Sequence, residues 1–139
     1  MLRQQRRYLP WLTAFLILAG FTALVLSWLD HFAWTDDEAV FVLTARAVQR
    51  GSRLYDEVWF NYLPGFLQLL NAAFAVGGFS LGTARTAVMC CALLALLLVA
   101  GLSRSVSSPW GGVLALLLLA TAPHFLALSS AVMTEVPAI

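Results

Sequence analysis

From Trp11 to Leu29 the chain runs for 19 residues without a charged side chain. At 1.5 Å rise per residue such a helix is about 28 Å long, close to the roughly 30 Å hydrocarbon core of a bilayer. Thr86–Leu102 and Gly111–Leu128 read as two further spans. The composition agrees: 61% of residues are hydrophobic and 11% charged, against about 45–50% and 25% in soluble domains. Mean hydropathy is +0.85. The expected fold is an all-α integral membrane protein with about three transmembrane helices. The net charge of +1, with no basic tail beyond Arg3, Arg6 and Arg7, gives no reason to expect nucleic acid as a partner. Cys90 and Cys91 are adjacent inside an apolar run and lack metal-ligand spacing, so no disulfide or zinc site is read from them.

Charge sets the orientation. Arg3, Arg6 and Arg7 precede the first span, which predicts a cytoplasmic N-terminus. The apolar run is too long for a signal-peptide core, and Ser27-Trp28-Leu29-Asp30 is no small-residue cleavage site. Residues 30–64 then lie outside and contain six acids. Within them Glu38–Arg50 has an apolar face (Phe41, Leu43, Ala45, Val48) and a basic face continued by Arg46, Arg50 and Arg53, which predicts an interfacial helix capped by Gly51. Gly65–Phe79 is short for a span and carries Gln68, Asn71 and the pair Gly77-Gly78, so a second interfacial segment is expected. With that segment outside the membrane, Arg104 faces the cytoplasm. Glu135, at the end of the last apolar run, then emerges on the same side as Asp36, Asp37 and Glu38.

Those acids admit two readings. Thr35-x-x-Glu38 matches a capping box, with Asp36 and Asp37 favoured by the dipole of the first turn. Alternatively, capping fixes the backbone while one carboxylate faces a cavity as a general base, or holds a divalent cation. Glu135 is either wet or functional, because an ionisable group near a span is costly unless it has a role. Arg85 either anchors a helix end or offers its guanidinium fork to a phosphate. Pro64 is suited to start a helix. Tyr55, Trp59 and Tyr62 form an interfacial aromatic belt or a surface on which a sugar ring stacks. His124, beside Pro123, is read as satisfying a local hydrogen bond. No P-loop, Rossmann glycine pattern, zinc spacing or nucleophile elbow is present.

The order of these features resembles the membrane glycosyltransferases of the GT-C superfamily. The nearest likeness is to the protein-mannosyltransferase and aminoarabinose-transferase-like family, including the RgtA/B/C/D-like domain. The residues that carry it are Asp37-Glu38, Gly51-Ser52-Arg53-Leu54-Tyr55-Asp56, Pro64, Arg85 and Met133-Thr134-Glu135-Val136-Pro137. Pro64-Gly65 departs from the two prolines many relatives carry there, and the chain is much shorter than family members. It therefore reads as the N-terminal portion of such a domain, inactive by itself.

The resemblance implies transfer of a sugar from a polyprenyl-phosphate carrier to a lipid, glycan or protein acceptor at the outer face of a bacterial inner membrane. It makes Asp37 the candidate base, Glu38 its support, Glu135 the second acid and Arg85 a contact to the donor phosphate. Some relatives use a divalent metal; no cofactor is otherwise implied. A transporter fragment and a small non-catalytic membrane subunit are the alternative readings of the same residues.

Overall fold

The computed structural model describes residues 2–30, 37–62 and 64–138, with side chains from Tyr8 onward. Six helices form in chain order: α1 (Leu2–Trp28), α2 (Asp37–Gln49), α3 (Gly65–Gly77), α4 (Leu81–Val106), α5 (Pro109–Ala120) and α6 (Pro123–Leu128). No strand forms among the described residues; a single bridge joins Leu54 to Val58 in the loop after α2. Two helical segments, Tyr8–Trp28 within α1 and the whole of α4, are long and apolar enough to cross a membrane.

Local chemistry explains most boundaries. α4 starts at Leu81, ahead of the expected Thr86, because the Ser80 hydroxyl accepts a bond from the Thr83 backbone N–H at 3.0 Å and caps the helix. Arg85 consequently lies in the second turn of α4 instead of preceding the helix. Ser108 caps α5 in the same way, accepting from the Gly111 N–H at 3.1 Å, with Pro109 in the first turn. Gly51 ends α2 with φ +102°. Its N–H bonds to the Val48 carbonyl at 3.0 Å while the Ser52 N–H reaches Ala47 at 3.1 Å, a Schellman arrangement. Pro64 is the N-cap of α3, and its carbonyl accepts from the Gln68 N–H at 3.1 Å.

One expectation is corrected. Gly111–Leu128 is not a single helix; it divides into α5 and α6 at Thr121–Ala122. Pro123 has no N–H to continue the ladder, and its ring drives Ala122 to an extended ψ of 119°. α5 alone rises only about 18 Å. A third crossing of a full hydrocarbon core therefore needs α5 and α6 together.

α1, α4 and α5 form an up-down-up bundle. At one end Arg104, near the end of α4, stacks over the Trp11 ring near the start of α1. At the other end Arg85 donates to the carbonyl of Leu29, just past α1. α4 and α5 make the tightest contact: a Cβ on Gly112 would sit 2.7 Å from the Ala100 carbonyl oxygen, so only glycine allows this approach. α6 closes on α1 through Phe21 and Phe125, whose rings stack at 6.0 Å.

The two segments expected at the interface are helical, α2 and α3, and pack on each other and, through α3, on α4. Phe41 is the hub of this layer and lies 5.2–5.9 Å from the rings of Phe60, Tyr62 and Phe66. The expected basic face of α2 is partly consumed by other contacts. Arg46 covers the Phe79 ring at 4.0 Å, and Arg53 pairs with Asp56 and Glu57.

Candidate functional site

Neighbouring positions on an α-helix point about 100° apart. At the start of α2 this geometry separates the acidic pair: Glu38 is 1% exposed, whereas Asp37 remains open to the surface. The expected capping pair begins at Thr35, which with Asp36 lies outside the described residues.

A buried carboxylate is stable only when its oxygens are matched by donors. Glu38 meets this requirement with partners from two distant parts of the chain. Arg85 grips it in a fork, Nε to Oε1 at 3.1 Å and Nη2 to Oε2 at 2.6 Å. The Val132 backbone N–H adds a bond to Oε1 at 2.7 Å. Arg85 is itself 3% exposed, and its Nη1 donates to the Leu29 carbonyl at 2.5 Å. One ion pair thus ties together the end of α1, the start of α2, α4 and the segment after α6. The bidentate form is the strongest geometry available to a guanidinium and a carboxylate.

Asp37 borders a cavity of about 260 Å³ whose wall includes Phe41, Trp59, Phe60, Asn61 and Tyr62. Trp59 is 80% exposed. Asn61 and Tyr62 also line a larger, mainly apolar cavity of about 700 Å³, which extends past Phe66 and Leu69 to Cys91 and is bounded by Thr134 and Pro137. The polar cavity carrying Asp37 thus adjoins, at Asn61 and Tyr62, an apolar hollow between α3, α4 and the segment after α6. The loop that shapes the mouth is held tightly. Tyr55 adopts φ +72°, rare for a residue with a side chain. Its N–H bonds to Val58 at 2.9 Å and its hydroxyl to the Tyr62 carbonyl at 2.8 Å.

Of the four residues singled out from the sequence, Glu38 and Arg85 come into direct contact. Asp37 is adjacent, on the cavity rim. Glu135 is exposed and lines neither cavity, although its neighbour Thr134 lines the larger one. Val132, three residues before Glu135, fastens that segment to Glu38. The resemblance directs Arg85 at a donor phosphate; in this fold its Nε, Nη1 and Nη2 all donate within the protein. No three His, Cys, Asp or Glu side chains gather to hold a metal among the described residues. Both Glu38 oxygens are engaged by donors within the protein.

Two participants were not foreseen, the Val132 N–H and the Leu29 carbonyl. Both are main-chain groups, which every residue carries, so no side-chain pattern marks them. The sequence marks Trp59 and Tyr62 only as belt or stacking residues; their place on the wall beside Asp37 depends on the turn at Tyr55. Compared with known protein families, curated proteins and solved structures, the chain has no match.

Proposed function

We propose that this chain is the N-terminal portion of a GT-C-type membrane glycosyltransferase, with Asp37 as the base that activates the acceptor. The observation that carries this reading is the division of the acidic pair. Glu38 is consumed in a fully bonded buried ion pair, while the adjacent Asp37 is left open on the rim of a cavity with an aromatic wall. A residue serving only to cap a helix needs neither the cavity nor the rigid neighbour.

The chemistry follows from that arrangement. An acceptor hydroxyl at the mouth gives its proton to the Asp37 carboxylate as its oxygen bonds to the sugar's anomeric carbon. The bond from that carbon to the carrier phosphate breaks, and its electron pair leaves with the phosphate. Trp59 and Tyr62 offer faces on which a sugar ring stacks. The carrier's prenyl tail stays in apolar surroundings while its head reaches the mouth, which suits a bacterial inner membrane with the site on the extracytoplasmic side. Glu135, on the segment fastened by Val132, is the second acid of the site in this reading. Arg85 acts through Glu38, holding the start of α2, and would meet a phosphate only on leaving that carboxylate.

The test is Asp37→Asn at the native locus, with transfer measured in membranes supplied with the cell's own extracted polyprenyl-phosphate sugars. General-base removal lowers the rate about 10²–10⁴-fold, and the protein level stays unchanged because Asp37 is exposed. Transfer at the normal rate would remove Asp37 from the chemistry.

A further inference from the structure

A second feature lies at the opposite end of the bundle. α1 spends its packing surface on α5 and meets α4 only sparsely. The result is a furrow between α1 and α4. Two cavities, of about 320 Å³ and 540 Å³, lie along it and share Phe15, Leu18 and Leu97 at their border. The furrow runs from Trp11 and Arg104 to Leu26 and Leu93. Fifteen residues of α1 separate Trp11 from Leu26, a rise of about 22 Å. One leaflet's share of a bilayer core is about 15 Å, so the furrow is long enough for an acyl chain. A Cβ on Gly101, which lines it, would meet nothing within 4 Å, so there is open space at this position.

Its mouth is basic. The Arg104 guanidinium lies 3.9 Å over the Trp11 ring, and no carboxylate reaches it among the described residues. A guanidinium stacked by its face keeps its N–H edge for an anion. Arg3, Arg6 and Arg7 fall in the first turns of α1, just before the mouth in sequence, and no acid precedes Asp30 or falls between Glu57 and Glu135. Basic pockets between membrane helices on the cytoplasmic side bind anionic lipid headgroups.

We propose that the furrow holds one acyl chain of an anionic phospholipid of the cytoplasmic leaflet, whose phosphate sits on Arg104. The inference rests on α1 and α4 crossing the membrane and is independent of the transferase reading. Charge selects this occupant: an apolar slot with an arginine at its mouth matches a lipid with a charged head better than a neutral one, and better than a second copy presenting the same arginines.

The test is native mass spectrometry of the protein in mild detergent, titrated with phosphatidylglycerol or with phosphatidylcholine of the same chain length. The expected result is preferential retention of one phosphatidylglycerol. Arg104→Ala weakens it about fivefold, corresponding to roughly 1 kcal/mol for a basic side chain near an anionic headgroup, and leaves phosphatidylcholine unchanged. Arg104→Lys keeps most of the preference. Gly101→Phe, entering from an open position, lowers retention of both lipids, whereas Leu98→Phe, exposed and outside the furrow, leaves both at wild-type levels.

Equal retention of the two lipids by the native protein overturns the proposal, as does wild-type binding by Arg104→Ala. A protein dimer abolished by Gly101→Phe would show a second copy in the furrow instead. Extraction of the protein from vesicles at alkaline pH would refute the membrane crossing itself. An integral protein indifferent to headgroup charge refutes the furrow assignment alone.

Discussion

Replacing Arg85 with methionine separates the functions gathered at the buried ion pair. The change keeps an apolar stem of similar length and removes the fork on Glu38 and the bond to Leu29. Glu38 would then be a charge at 2% side-chain exposure with one remaining donor, the Val132 N–H. Breaking a buried pair from one side costs about 3–5 kcal/mol, because an uncompensated charge remains. An exposed pair would cost only about 0–1 kcal/mol, so the magnitude separates the two cases.

The double variant Glu38→Gln, Arg85→Met removes the charge while keeping an acceptor for Val132. It should be at least about 2 kcal/mol more stable than Arg85→Met alone, since neutralising both partners avoids the stranded charge. Arg85→Lys should fall between, with its charge retained and the bidentate geometry lost. The assay is equilibrium unfolding in mixed micelles followed by tryptophan fluorescence, completed as a double-mutant cycle. An Arg85→Met cost below about 1 kcal/mol, or a double variant no better than that single one, would refute the argument that this pair fastens the four segments together.

Four further outcomes follow from particular contacts. Gly112→Leu should part the α4–α5 hairpin and destabilise by about 1–3 kcal/mol or more in the same unfolding assay, because its Cβ would meet the Ala100 carbonyl at 2.7 Å and the Arg104 Cβ at 3.0 Å. Gly51→Ala should cost about 1–2 kcal/mol, measured the same way, since φ +102° is strained for a residue with a Cβ. Asp37→Asn should leave stability within about 0.5 kcal/mol, as expected for an exposed site, even where transfer is lost. With Cys90 and Cys91 replaced by alanine, a cysteine at Glu135 should react with an impermeant thiol reagent from outside, and one at Ser107 only after permeabilisation. Labelling of both positions from the same side would reject the up-down-up crossing.

The sequence alone carried the elements whose causes are local. Uncharged runs announced α1 and α4, and Gly51 and Pro64 the ends of the flanking helices. Each rests on backbone sterics, capping or transfer free energy, which depend on a few adjacent residues. The break at Pro123 also has a local cause, since proline cannot continue the hydrogen-bond ladder, although the run stays apolar on both sides of it.

The site was legible only as a set of candidates. Asp37 and Glu38 are equivalent in type and one position apart, and nothing local says which is buried. That choice belongs to Arg85, 47 residues away, and to the Val132 amide, 94 residues away. Tertiary structure decided it because a carboxylate enters an apolar interior only where several distant donors converge, and convergence is a property of the packed chain.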